Sequence, residues 1–218
     1  MNLSGCSNFR VSLFERLLKV NVGRFMKEAK ETVKARILDG AIALFLEKGI
    51  TNVTTRELTE SLGISRSHTY HYFSNWQALC IAALDRYMRD ELETFSQQTA
   101  ALSSTQKMER LVENFLPIEP DAAWQLYSST WHLAIHDAVY AALVEAITDE
   151  WTRVVCGIIE EGINNGTFQQ RDARRTTRQL ISMLNGYAEF LSVGPTTEKC
   201  NMVEEDIADF IQRFIYKA

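Results

Sequence analysis

Apolar residues recur every three or four positions along nearly all of this chain, and little interrupts them: 218 residues contain only 3 prolines and 10 glycines. A 3.6-residue period with so few breakers points to packed amphipathic helices. No stretch alternates with the two-residue period of a half-buried strand, and there is no internal repeat or low-complexity tract. An all-α fold is expected. With 46% hydrophobic and 23% charged residues, the chain can bury a core and remain soluble. No apolar run approaches the ~18 residues of a membrane span. The segment Val11–Val22 is broken by Glu15, Arg16 and Lys19, unlike the core of a secretory signal. No membrane partner is expected, and a cytoplasmic location follows.

The periodic segments can be placed one by one. Residues 9–25 read either as a short amphipathic helix bearing Val11, Phe14, Leu17 and Leu18, or as an unstructured arm. Met26-Lys27-Glu28-Ala29-Lys30 resembles an ordinary start, and a chain beginning there is expected to fold and bind its partner. A helix from Lys27 to Lys48 carries the stripe Val33, Ile37, Ala41 and Phe45, and Gly49 stops it. Thr54 with Glu57 reads as a capping box opening a helix to Leu62, and Gly63 ends it. Ser65 opens a third helix to Tyr72. Ser74 with Gln77 repeats the capping-box pattern before a fourth helix containing Leu79, Ala82, Ala83 and Tyr87. Beyond Leu92 lies a larger helical region. Pro117 and Pro120 bracket a turn, and helices follow over Ala122–His136, Tyr140–Asn164, Asp172–Val193 and Glu204–Tyr216.

Two of these short helices carry the strongest functional signal. In Val53–Phe73, Leu58, Leu62, Ile64 and Phe73 can hold two helices at a fixed angle across a glycine turn. The outer face of the second helix is then Ser65, Arg66, Ser67, His68, Tyr70 and His71. Every one of these can hydrogen-bond and none is acidic, which suits a helix lying against phosphates and base edges in a major groove. Charge is distributed accordingly. Residues 1–76 hold 11 Lys/Arg against 7 Asp/Glu, a net of +4, whereas residues 77–218 hold 12 against 21, a net of −9. Only the front half suits a polyanion.

The stretch Ile37–Tyr87 resembles the DNA-binding domain of TetR-family transcriptional regulators. The matching pieces are Ile37-Leu38-Asp39-Gly40-Ala41 with Phe45 and Gly49, Thr54-Thr55-Arg56-Glu57-Leu58, Gly63-Ile64-Ser65, and Tyr70-His71-Tyr72-Phe73 before Ala78-Leu79. The rear half, with Ile159–Phe168 and Leu184-Asn185-Gly186-Tyr187, resembles the choline-responsive branch of that family. The resemblance implies an extension (1–26), a DNA-binding domain (27–76), and a helical effector-binding and dimerisation domain (77–218). It implies a homodimer on palindromic double-stranded operator DNA, acting as a repressor that a small-molecule effector releases. Three positions depart from the family pattern. Thr69 stands where an apolar residue is common, Trp76 stands where a phosphate-binding Lys is common, and the N-terminal extension is long.

Individual roles follow. Arg66 can bind guanine bidentately. Tyr70 is expected on phosphate, His71 is a more direct contact than His68, and Trp76 can offer its indole N–H to a phosphate. Thr54 is chiefly a cap, with Thr55 and Arg56 as phosphate-side candidates, and Ser65 and Ser67 complete the DNA face. In the rear domain Trp124, Tyr127, Trp131, Trp151 and Tyr187 are candidates for the wall of an effector cavity, although each alone suits ordinary core packing. Grouped, they can hold a cation by their ring faces. The stripes Leu180, Leu184, Tyr187, Leu191 and Ile207, Ile211, Phe214, Ile215 read as core or, given the family, as a four-helix dimer face.

Competing chemistries find little support. Cys6, Cys80, Cys156 and Cys200 are widely spaced and form no C-x-x-C pair, so reduced, packed thiols are expected. His132 and His136 have the spacing of two metal ligands, but only Asp137 offers itself as a third, and pocket or surface histidines are the better reading. No phosphate loop or nucleophile motif appears, so neither catalysis nor a cofactor is expected. The remaining alternative is a helical ligand-binding or adaptor protein whose helix-turn-helix binds protein.

Overall fold

A computed structural model describes residues 31–117 and 121–217. Expectations for the N-terminal extension, for the first helix before residue 31, and for Cys6 and Pro120 lie outside the described residues. Helix α1 covers residues 31–48 and buries Ile37, Leu38, Ala41 and Phe45. It stops at Gly49, whose φ of 78° is reached at little cost only without a Cβ. A 3-10 turn, Ile50–Asn52, follows and buries Ile50.

Helices α2 (Thr55–Leu62) and α3 (Arg66–Tyr72) pack against each other across Gly63, which sits in the left-handed region at φ 63°. Leu58 and Phe73 are buried between them and α1. Both N-caps are as expected: the Thr54 hydroxyl accepts from the Glu57 N–H, and the Ser65 hydroxyl from the His68 N–H. The reciprocal half of the first box is missing, because the Glu57 carboxylate pairs with Lys48.

Helix α4 (Trp76–Thr99) is the long link. At ~1.5 Å per residue its 24 residues span about 36 Å. Asn75, not Ser74, caps it, accepting from the Ala78 N–H at 2.8 Å. The shift of one residue frees the Gln77 side chain to reach outward. Near its middle α4 is tied to α1: Arg86 pairs with Asp39 at 2.7 Å and donates to the Ala35 carbonyl. Further on, Arg89 pairs with Glu150 of the rear domain.

The rear domain contains α5 (Ser104–Phe115), α6 (Ala122–Ala134), α7 (Ala138–Asn164), α8 (Ala173–Ser192) and α9 (Thr197–Phe214). Helix α7 is the hub and touches α4, α5, α6 and α8. Ile147, Val155 and Ile159 on α7 meet Met108 and Leu111 of α5 and Leu180 and Leu184 of α8 in the core. Helix α5 carries the complete capping box of the chain's described part, Ser103 with Gln106. The last helix starts earlier than expected, with the Thr196 hydroxyl as its cap, and ends at Phe214. Tyr216 falls outside it because its backbone pairs with Phe168 in an isolated antiparallel bridge.

That bridge yields a stability prediction. Phe168 is buried against Gly162 of α7, and a Cβ on Gly162 would lie 2.1 Å from the Phe168 ring. Gly162→Ala is expected to destabilise the chain by ~1–3 kcal/mol through overpacking. A urea-melt midpoint equal to that of the parent would refute this.

The two apolar stripes proposed for dimerisation need correction. Leu180, Leu184, Leu191, Ile207, Ile211 and Ile215 are all buried within the single chain. The exposed apolar side chains of α8, α9 and the turn between them are Phe190, Val193, Met202 and Phe214.

Candidate nucleic-acid interface and effector cavity

The front of the molecule presents α3. Arg66, Ser67, His68 and His71 are exposed on it, as are Thr54, Arg56 and Ser65 beside it. The Arg66 guanidinium lies 5.6 Å from the Tyr70 ring centroid, and no carboxylate pairs with it among the described residues. Tyr70 is half-buried, and its hydroxyl sits 3.4 Å from that of Thr55. Thr55 and Arg66 hold the Tyr70 phenol below its ordinary pKa.

Thr55, expected on the phosphate side, is instead buried beneath Tyr70. Arg56 is exposed but engaged by Glu60 at 2.8 Å. Trp76 is half-buried, with its ring edge-on to Phe45 at 6.2 Å between centroids.

Thr69 faces inward from α3. It is fully buried, and its hydroxyl has no hydrogen-bond partner. Thr69→Val keeps the shape and removes the unpaired oxygen, so it is expected to stabilise the protein by about 1 kcal/mol. A thermal melt tests this, and an unchanged or lower Tm would contradict it.

A polar contact joins front to rear. The Gln77 side-chain amide donates to Asp137 at 2.6 Å. Asp137 is also the N-cap of α7, its other oxygen accepting from the Val139 and Tyr140 N–H groups. Asp137 lies three residues beyond Ala134, the last residue of α6, and its carboxylate joins the start of α4 to the start of α7. The sequence carried no sign of this pairing, because its partners are 60 residues apart.

Helix α6 lines a cavity of about 560 Å³, a size typical of pockets for small organic ligands. Trp124, Tyr127 and Trp131 enter it from α6 and Trp151 from α7, with Phe115 of α5 beside them. The rings contact one another in sequence, Trp124 with Tyr127 at 5.9 Å and Tyr127 with Trp131 at 5.7 Å. Burial pushes the Tyr127 phenol up, so it stays neutral.

Glu91 of α4, Asp121 and Glu189 of α8 bring carboxylates to this cavity, and among its described lining residues there is no Lys or Arg. Burial pushes the Glu91 carboxyl up, and Asp121 and Asp90 add to the shift. His132 also faces the cavity, 6.0 Å from His136 between ring centroids, and no group of three or more potential metal ligands occurs among the described residues.

Tyr187 is the exception among the expected wall residues. It does not line the cavity; its hydroxyl donates to Asp206 of α9 at 2.5 Å. The cavity residues that sequence reading missed, Glu91, Asp121 and Glu189, sit on or beside helices with no local pattern to mark them. Only Asp121, following Pro120, had a readable cap signature.

A helix-turn-helix head joined by one long helix to a larger helical domain is the architecture of a DNA-binding regulator. The family models agree. Residues 37–83 match the tetR family of bacterial regulatory proteins, and residues 104–215, more than half of the chain, match the C-terminal domain of BetI-type transcriptional repressors. The chain belongs to the TetR family of transcriptional regulators, in its BetI-type branch.

A curated relative, the transcriptional repressor KstR2 of Rhodococcus jostii, is 24% identical over 139 residues, covering 62% of this chain and 68% of that protein. Among solved structures, a putative transcriptional regulator from Saccharomonospora viridis in complex with choline has a TM-score of 0.76 at 21% identity, over 86% of this chain and 100% of that one. The reduced form of NemR from Escherichia coli has a TM-score of 0.72 at 14% identity, over 85% of this chain and 99% of that one. No described helix is long and apolar enough to cross a membrane.

Proposed function

We propose that this regulator binds a palindromic operator as a homodimer and represses, and that an organic cation in the rear cavity releases it. The observation that carries the reading is the course of α4, which begins beside the exposed, acid-free face of α3 and reaches the cavity at Glu91. Arg66 reads a base edge, Tyr70 meets phosphate with Thr55 steadying it, and Ser67, His68 and His71 fill the face. Thr54, Arg56, Ser65 and Trp76 flank it.

Two dimer-linked heads reach both half-sites only over a narrow range of separations, about one helical turn (~34 Å) or its multiples. A ligand that prefers a different separation weakens DNA binding by the ratio of its affinities for the two forms. The dimer surface is taken to be the outer side of α8 and α9 around Phe190, Val193, Met202 and Phe214, which are exposed in the single chain.

The aromatic rings and carboxylates of the cavity suit a cation, held by ring faces and by charge. The choline in the Saccharomonospora viridis structure belongs to a related fold and supports the same class. Residues 27–76 then serve as the DNA head and 77–218 as the effector and dimerisation domain, with α4 continuous across the boundary.

The test is a gel shift of the full chain on selected genomic fragments, at several salt concentrations, with and without quaternary ammonium compounds. Specific, salt-sensitive complexes that such a compound dissolves support the reading. Failure to retain any duplex DNA at low salt would defeat it.

A further inference from the structure

The cavity is longer than a single cationic head requires, and its charge stands in two places. Trp124, Tyr127, Ser128 and Trp131 all face it from α6. Their spacing puts them on one side of that helix, so the cavity runs along it. At one end are Asp121, the N-cap of α6, and Glu91 of α4. About midway along α6 is Glu189 of α8, held by the Ser128 hydroxyl, which donates to it at 3.1 Å; the lining continues past it to Trp131, His132 and Ile135. From Asp121 to Ser128 is two turns, about 10 Å of rise along the axis. Trp124 and Tyr127 lie between these two acidic stations, and Trp131 lies about one turn beyond the second.

We propose that the effector is an elongated organic dication. One positively charged nitrogen is held by Glu91 and Asp121, the other by Glu189, and an apolar spacer runs over Trp124 and Tyr127. The two nitrogens are then roughly 10 Å apart, the rise between the stations. A monocation neutralises one station and leaves the attraction of the other carboxylate unused. A dication satisfies both stations and buries its spacer on the rings. This inference rests on the cation reading above and narrows it.

The experiment is an indole-fluorescence titration of the full chain with hexyltrimethylammonium and with hexamethonium. These share a hexamethylene chain and carry one and two quaternary nitrogens. The doubly charged compound is expected to bind about tenfold tighter, the yield of one further charged contact. In a bis-quaternary series from ethylene to decamethylene spacers, affinity should peak at hexa- to octamethylene. Glu189→Gln, at an exposed position, should bring the ratio of the two dissociation constants towards one. Equal affinity of the two compounds in the parent protein overturns the dication and leaves the cation reading standing. Binding of neither overturns both. A ratio that survives Glu189→Gln removes Glu189 as the second station and overturns the arrangement proposed.

Discussion

Arg66→Ala is expected to weaken binding to the operator far more than binding to unrelated duplex DNA. Arg66 is the exposed guanidinium of α3, unpaired by any carboxylate among the described residues. Its approach to the Tyr70 ring, at 5.6 Å, leaves its planar fork oriented without a competing anion. A bidentate contact to guanine contributes ~1–3 kcal/mol of discrimination, roughly 5–150-fold in affinity ratio. Loss of a phosphate contact would instead weaken all sequences alike and lower the salt dependence. Tyr70→Phe is expected to behave in that second way, because its phenol is assigned to phosphate. Fluorescence anisotropy on operator and random duplexes at matched salt separates the two. Equal loss on both DNAs after Arg66→Ala would remove base reading from this residue.

The second large effect is expected at Gln77. Helix α4 touches the cavity through Glu91 and the rear-domain joint through Gln77, while Arg86 fastens it to α1 at Asp39. A ligand-driven displacement of α6 is expected to reach Asp137 through the short turn 135–136, and Gln77 through the Asp137 carboxylate. Asp137 also caps α7, so its replacement would mix coupling with stability. Gln77→Leu removes only the amide and keeps most of the volume. Coupling between effector and operator is typically 5–150-fold in affinity, about 1–3 kcal/mol. In Gln77→Leu the operator dissociation constant should respond at least about fivefold less to a bound effector, with effector affinity itself nearly retained. Paired titrations, effector onto protein and operator onto protein with effector saturating, measure both numbers. An undiminished operator response would show that the signal bypasses this hydrogen bond.

The head was legible because everything that makes it is local. Thr54 and Ser65 cap the next helix through their own hydroxyls, and Gly63 takes the one positive φ the turn requires. Leu58 and Phe73 then meet across a short loop. The ring stripe of α6 was legible for the same reason: Trp124, Tyr127 and Trp131 are spaced by helix period alone.

Where the reading failed, a partner distant in sequence decided. Tyr187 shares a helix with buried Leu180 and Leu184, yet α9 covers its edge and Asp206 takes its hydroxyl. Thr55 looks like a phosphate ligand beside Arg56, but Tyr70 lies over it. Ser74 and Gln77 match a capping box, and Asn75 takes the cap while Gln77 turns to Asp137.

By itself, then, the sequence determined the all-helical class, the helix-turn-helix and its acid-free outer face, and the aromatic side of α6. These depend on periods and caps, whose energetics act within a few residues along the chain. Tertiary structure alone decided which edge of α8 and α9 is core, where Glu91, Asp121 and Glu189 converge, and which side chain links cavity to head. Each of those outcomes depends on which helices pack side by side, and a helix's own period leaves its choice of neighbour open.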